Sequence, residues 1–114
     1  MVQLRGVSND MIANNLTACY QTHPGEVLKD EVEARGISQK TLAENMGMSY
    51  KVLNDILNER RSVSIETAML FEAALGIPAQ TLIGLQTEYD MAMTKKDKSF
   101  LLRLANVRRV AAVL

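Results

Sequence analysis

The sequence predicts an all-α fold, five short helices forming a helix-turn-helix domain with an additional C-terminal helix. Three observations carry this expectation. Serines stand where helix N-caps belong, with glycines closing the stretches they open. Apolar residues between these markers recur at helical spacing. The two prolines, Pro24 and Pro78, each sit where a helix would begin, a position at which proline's missing N–H costs nothing.

Residues 1–22 are mixed in character. Their helical tendency over 10–17 is weak and is interrupted by Asn14 and Asn15. They are read as an N-terminal segment, partly flexible. Pro24 opens the first helix, with Val27, Leu28 and Val32 facing inward and Gly36 as its stop. Glu31 lies four residues before Arg35, the favourable order for an ion pair. Two short helices follow, over about 39–46 and 50–58. Ser64 caps a fourth over 65–75, apolar around most of its circumference, which predicts a central buried helix. Gly76 ends it. A fifth helix runs from Pro78 to about residue 93, with Leu82, Ile83, Leu85, Tyr89 and Met93 as packing positions. These five helices make a domain over 23–93.

Residues 94–114 form a basic, amphipathic C-terminal helix, capped by Asp97 or Thr94. Phe100, Leu104, Val107, Ala111 and Leu114 share one stripe, and Arg103 and Arg108 lie largely away from it. The stripe has three candidate uses: packing on its own domain, a dimer seam, or a surface for another protein.

Residues 37–65 are the most informative stretch. Ser38 caps a helix carrying Leu42, Ala43 and Met46, Gly47 turns the chain, and Ser49 caps the next helix. A helix, a tight turn containing glycine and a second capped helix make a helix-turn-helix, whose second helix enters the DNA major groove. At about 100° per residue, Val52, Leu53, Ile56 and Leu57 fall on one side of that helix. Tyr50, Lys51, Asn54, Asp55 and Asn58 fall on the other. Asparagine can bond adenine bidentately and lysine can reach guanine acceptors. Arg60 and Arg61 follow, placed to grip phosphates. A solvated polar face is the plain alternative, since any surface helix has one. Ser38-Gln39, Gly47, Ser49 and the arginine pair, all within one window, favour DNA.

The chain has 114 residues and no net formal charge, so phosphate affinity must come from local placement of cations and from dimerisation. Lys95, Lys96, Lys98, Arg103, Arg108 and Arg109 make the C-terminus basic, while 26–33 and 66–90 are predominantly acidic. One cysteine and one histidine exclude an intrachain disulfide and leave too few ligands for zinc. No catalytic constellation can be named, so the chain is expected to be no enzyme and to need no cofactor. No signal-like or membrane-spanning apolar run occurs, and a cytoplasmic location is expected.

With the helices in place, the sequence resembles the HigA-type (VapI-like) antitoxins within the Xre/Cro-like (lambda-repressor-like) helix-turn-helix repressors. The resemblance covers about 23–91. HPGEVLKDEVEARGISQKTLAENMGMS is similar to the family's HPGE start and its SQ-LA-G signature. NDILNERRSVSIETAMLFEAALG and IPAQTLIGLQTEYDM resemble its following segments, with LQ-x-x-YD at the end. Glu59 stands where the family often has glycine, Met69-Leu70-Phe71 lacks a common arginine, and Thr81-Leu82 replaces a frequent tryptophan.

The resemblance implies a dual role: neutralising a HigB-like (RelE-type) mRNA endonuclease toxin, and repressing the protein's own operon as a homodimer on operator DNA. It further implies that Ser38 and Gln39 touch phosphate or a base edge. Ser49, Tyr50, Lys51 and Asn54 would face the groove, and Asn58, Arg60 and Arg61 the backbone. Two alternatives stay open, a stand-alone repressor without a toxin and an interaction module that no longer reads DNA.

Overall fold

The computed structural model describes residues 21–114. The expectation for 1–22 therefore lies, up to residue 20, outside the described residues. Among those described the chain is helical throughout, without strands: α1 Pro24–Ala34, α2 Gln39–Met46, α3 Tyr50–Leu57, α4 Ile65–Leu75, α5 Ala79–Lys95 and α6 Lys98–Ala111. Residues Thr22–Thr87 make one compact unit, and the chain passes within α5 into a second that holds Glu88–Leu114.

The helices begin and end where the side chains dictate. The hydroxyls of Ser38, Ser49 and Ser64 accept from the backbone N–H groups of Thr41, Val52 and Thr67, at 3.3, 3.1 and 3.2 Å. Asp97 does the same for Phe100 at 3.2 Å. Each cap satisfies a donor that the first helical turn leaves unpaired, contributing about 1 kcal/mol. Gly47, at φ 71°, makes the turn between α2 and α3. Its N–H donates to the Glu44 carbonyl and that of Met48 to the Ala43 carbonyl, a left-handed closure that glycine adopts without a Cβ penalty. The Glu31–Arg35 pair forms at 2.6 Å, and the Arg35 Nη2 also donates to the Leu75 carbonyl at 2.7 Å. That second bond ties the end of α1 to the end of α4.

The core of the first unit comes from every helix in it. Leu28 and Val32 of α1, Leu42, Ala43 and Met46 of α2, and Leu53, Ile56 and Leu57 of α3 are all buried. They meet Val63, Ala68, Phe71, Leu75 and Leu82. Phe71 is fully enclosed. Burying a side chain of this size contributes roughly 1.5–3 kcal/mol. The packing of α3 against α1 and α2, and of α2 against α4, is what holds α3 in place.

The expectation that α4, apolar around most of its circumference, is a central buried helix is corrected by the structure, which buries one side of it. Ala68, Phe71 and Leu75, the buried residues of α4, fall on one arc at about 100° per residue. Met69 and Leu70 fall off it and are exposed, and Ile65 at the first turn is 65% exposed. In α5, Leu82 is buried, Ile83 and Leu85 are half-buried, and Met93 is exposed rather than packed. No residue of α6 is buried.

Candidate nucleic-acid interface

The start of α1 positions α3 more closely than side-chain packing alone would. His23 is buried and caps α1 through its ring, Nδ1 accepting from the Gly25 N–H at 2.9 Å. Accepting at Nδ1 requires a neutral imidazole protonated on the other nitrogen. Gly25 lies so near α3 that a Cβ on it would stand 2.0 Å from the Ile56 carbonyl oxygen. The third residue of the HPGE stretch thus lets two backbones meet. It does so on the side of α3 that carries Leu53 and Ile56, behind the exposed face of that helix.

On its other side, α3 presents Tyr50, 53% exposed, and the Lys51 side chain, 82% exposed. Asn58 closes the helix, its Nδ2 donating to the Asn54 carbonyl at 2.9 Å and its Oδ1 accepting from the Lys29 ammonium at 3.3 Å. The chain then reverses through Glu59 at φ 64°. The Glu59 N–H donates to the Ile56 carbonyl at 3.1 Å, and the Arg60 N–H to the Asp55 carbonyl at 2.7 Å. This is the left-handed closure in which glycine is usual. The glycine-to-glutamate departure therefore falls on the one non-glycine residue with positive φ among those described.

The reversal brings Arg60 back over α3. Its Nε donates to Asp55 Oδ1 at 3.1 Å, and its Nη2 to Asn54 Oδ1 at 3.0 Å. Asn54 Nδ2 donates in turn to Gln39 Oε1 on α2, at 3.1 Å. Lys51 Nζ takes the other carboxylate oxygen of Asp55, at 3.1 Å. One polar chain therefore links Gln39, Asn54, Arg60, Asp55 and Lys51 across both helices of the helix-turn-helix. The Lys51 ammonium, and with it the Arg60 guanidinium, holds the Asp55 carboxyl below its ordinary value, against an opposing effect of partial burial.

The structure thus assembles Gln39, Lys51, Asn54, Asn58 and Arg60 from the expected set. Ser38 and Ser49 stand at the N-termini of α2 and α3 as caps. Tyr50 and Arg61 are exposed and make no side-chain hydrogen bond or ion pair within the described chain. Asp55 is corrected: read from the helix period as an outward residue, its side chain is only 12% exposed. The Lys51-to-Asp55 spacing of four was the available signal. Lys29, from α1, was not foreseen, because nothing local links it to Asn58. Among the described residues no group of histidine, cysteine and carboxylate side chains is placed to hold a metal. None of the described helices is long and apolar enough to cross a membrane.

Residues 28–82, which contain this entire polar chain, match the helix-turn-helix family HTH_3. Virulence-associated protein I of Dichelobacter nodosus is 35% identical over 77 residues, spanning 67% of this chain and 71% of that protein. The Pseudomonas aeruginosa antitoxin HigA, solved with the higBA promoter, is similar with a TM-score of 0.67 at 31% identity, over 73% of this chain and 91% of that one. PA4674 of Pseudomonas aeruginosa, solved in complex with 18-bp operator DNA, gives a TM-score of 0.62 at 34% identity, over 66% and 82% of the two chains.

Proposed function

This chain belongs to the HigA-type (VapI-like) group of Xre/Cro-like helix-turn-helix proteins, and on that premise we propose that it is an antitoxin that represses its own operon. It binds operator DNA through α3 and neutralises a HigB-like (RelE-type) toxin. The family is one of DNA-binding regulators, not enzymes. The observation that carries the DNA reading is the division of α3: Leu53, Ile56 and Leu57 are buried, while Tyr50, Lys51 and the adjoining Arg60 and Arg61 are exposed.

In this reading α3 lies in the major groove. Tyr50 and Lys51 face base edges, and Arg60 and Arg61 face the backbone. Ser38, Gln39 and Ser49 lie at helix N-termini, where unpaired N–H groups and the helix dipole favour a phosphate. Asn54 and Asn58 hold these groups in register through the bonds described above. One copy covers one half-site, so two copies related by a two-fold axis read half-sites about one helical turn apart. The neutral chain supports the dimer, which doubles the phosphate contacts available to it.

The test is titration of the purified chain onto its own promoter region. Sequence-selective binding, weakened at least about tenfold by Lys51→Ala combined with Asn54→Ala, is expected. Unselective binding, or binding indifferent to that pair, removes the repressor half. For the antitoxin half, the neighbouring reading frame is co-expressed with this chain. Rescue of growth and co-purification are expected, and failure of both removes it.

A further inference from the structure

Resting on the reading that α3 docks in operator DNA, we propose that Asp55 is a specificity-setting positioning residue, which holds Arg60 and Lys51 aimed at the operator at the expense of general affinity for phosphate. Its carboxylate is too enclosed to contact bases itself, and it acts through the two cations. Each oxygen takes one of them: Oδ2 the Lys51 ammonium and Oδ1 the Arg60 Nε, both at 3.1 Å. Arg60 is held a second time, its Nη2 lying 3.0 Å from Asn54 Oδ1. Asn54 is anchored to Gln39 in turn. A guanidinium bound at two points has lost much of the rotamer freedom that a free arginine would lose on binding. Yet the Arg60 side chain remains 59% exposed and that of Lys51 82%, so both remain open to a ligand while fixed at their inner edges.

The carboxylate has an opposite effect on unselective binding. It offsets part of the positive charge that Lys51, Arg60 and Arg61 bring to this surface, and it repels phosphate. Affinity for any duplex rises with the number of phosphates that cations neutralise, and so does its dependence on salt. Removing the negative charge frees two cations to seek phosphates wherever they lie. Selective and unselective binding therefore move in opposite senses when Asp55 is neutralised. A residue that merely supported the fold would weaken both.

The experiment measures the affinity of wild type, Asp55→Asn and Arg60→Lys for operator and for a scrambled duplex of equal length, at several salt concentrations. For Asp55→Asn we expect scrambled DNA to bind about threefold tighter or more, with a steeper salt dependence, and the operator-to-scrambled ratio to fall about tenfold. Arg60→Lys keeps the charge and loses the fork. Because the Arg60 grip on the backbone fixes the register in which Lys51 meets base edges, its ratio is expected to fall similarly, with scrambled affinity within about twofold of wild type. Because that site is exposed, this variant decides the matter even if Asp55→Asn unfolds. A ratio preserved in either folded variant overturns the proposal while leaving the DNA reading intact. A wild-type chain that does not distinguish operator from scrambled DNA overturns both. The Arg60 Nε–H resonance gives a readout without DNA: slowed exchange in wild type and faster exchange in Asp55→Asn, whose amide oxygen is a weaker acceptor than the carboxylate, are expected, and fast exchange in wild type overturns the proposal.

Discussion

The two sides of α3 are built in different ways. Its back is held by backbone approach: Gly25 presses against the Ile56 carbonyl, and Leu53, Ile56 and Leu57 are enclosed by α1, α2 and the core. Its front is held by polar side chains at 3.0–3.1 Å, all partly open to solvent. Close backbone contact cannot yield without moving the helix, whereas an exposed ion pair contributes only about 0.2–1 kcal/mol. The contrast teaches that stability and recognition can be separated within eight residues. The back fixes where the helix lies, and the front sets what it can touch.

The comparison breaks most sharply at Gly25. Gly25→Ala places a methyl group 2.0 Å from a main-chain oxygen, so either α1 or α3 must move. Overpacking of this kind costs about 1–3 kcal/mol or more. A fall in melting temperature of roughly 10 °C or more is expected by calorimetry; an unchanged melt would mean that the two backbones are not in contact.

Next is Gln86, whose Oε1 accepts from the Val63 N–H at 2.8 Å and so fixes the buried end of the loop between α3 and α4. Gln86→Leu leaves that N–H without its acceptor, at a cost of about 1–3 kcal/mol. Urea unfolding should show the loss; a Leu variant as stable as wild type would mean that Val63 finds another partner.

A smaller change of opposite sign is expected at Glu59. A left-handed φ costs a residue with a Cβ about 1–2 kcal/mol, part of which the greater freedom of glycine in the unfolded chain offsets. Glu59→Gly should therefore gain a few tenths to about 1 kcal/mol in the same assay. Glu59→Asn should gain less, because asparagine adopts this conformation more readily than glutamate. Loss of stability in both would show that the turn is not strained.

The smallest effect is in acid. The folded Asp55 carboxyl titrates below its ordinary value near 3.8. Its contribution to stability is therefore complete above that value and is lost as pH falls through the lower folded value. Below about pH 4, stability should fall less steeply in Asp55→Asn than in wild type, as followed by circular dichroism. Parallel acid limbs would mean that the front network is not formed in solution.

How much of this was legible in the sequence follows the range of each interaction. Ser38, Ser49 and Ser64 act within three residues of themselves, and the Glu31–Arg35 pair within four, so position alone identified them. For the last helix, position left Asp97 and Thr94 open, and the structure selects Asp97. His23 also acts locally, but histidine is not a usual cap, and its role went unseen. Gly25 against Ile56, Lys29 against Asn58 and Gln86 against Val63 join segments far apart in the chain, and no periodicity encodes them. Asp55 fell on the polar side by helical count, yet two cations drew it inward. The apolar count of α4 likewise overstated its burial, because composition does not say which arc meets the core. The extra C-terminal helix was foreseen from its cap and stripe, although none of its residues is buried.

The central claim, that the solvent side of α3 is what meets the operator, is tested most directly by titrating operator duplex into the isotope-labelled chain and following backbone amide resonances. The account predicts that the largest shifts cluster at Ser38 and Gln39, at Ser49 to Asn54 and at Asn58 to Arg61, with the α4 and α6 amides little changed. Shifts concentrated on α4 or α6, with Tyr50, Lys51 and Arg60 unmoved, would contradict it.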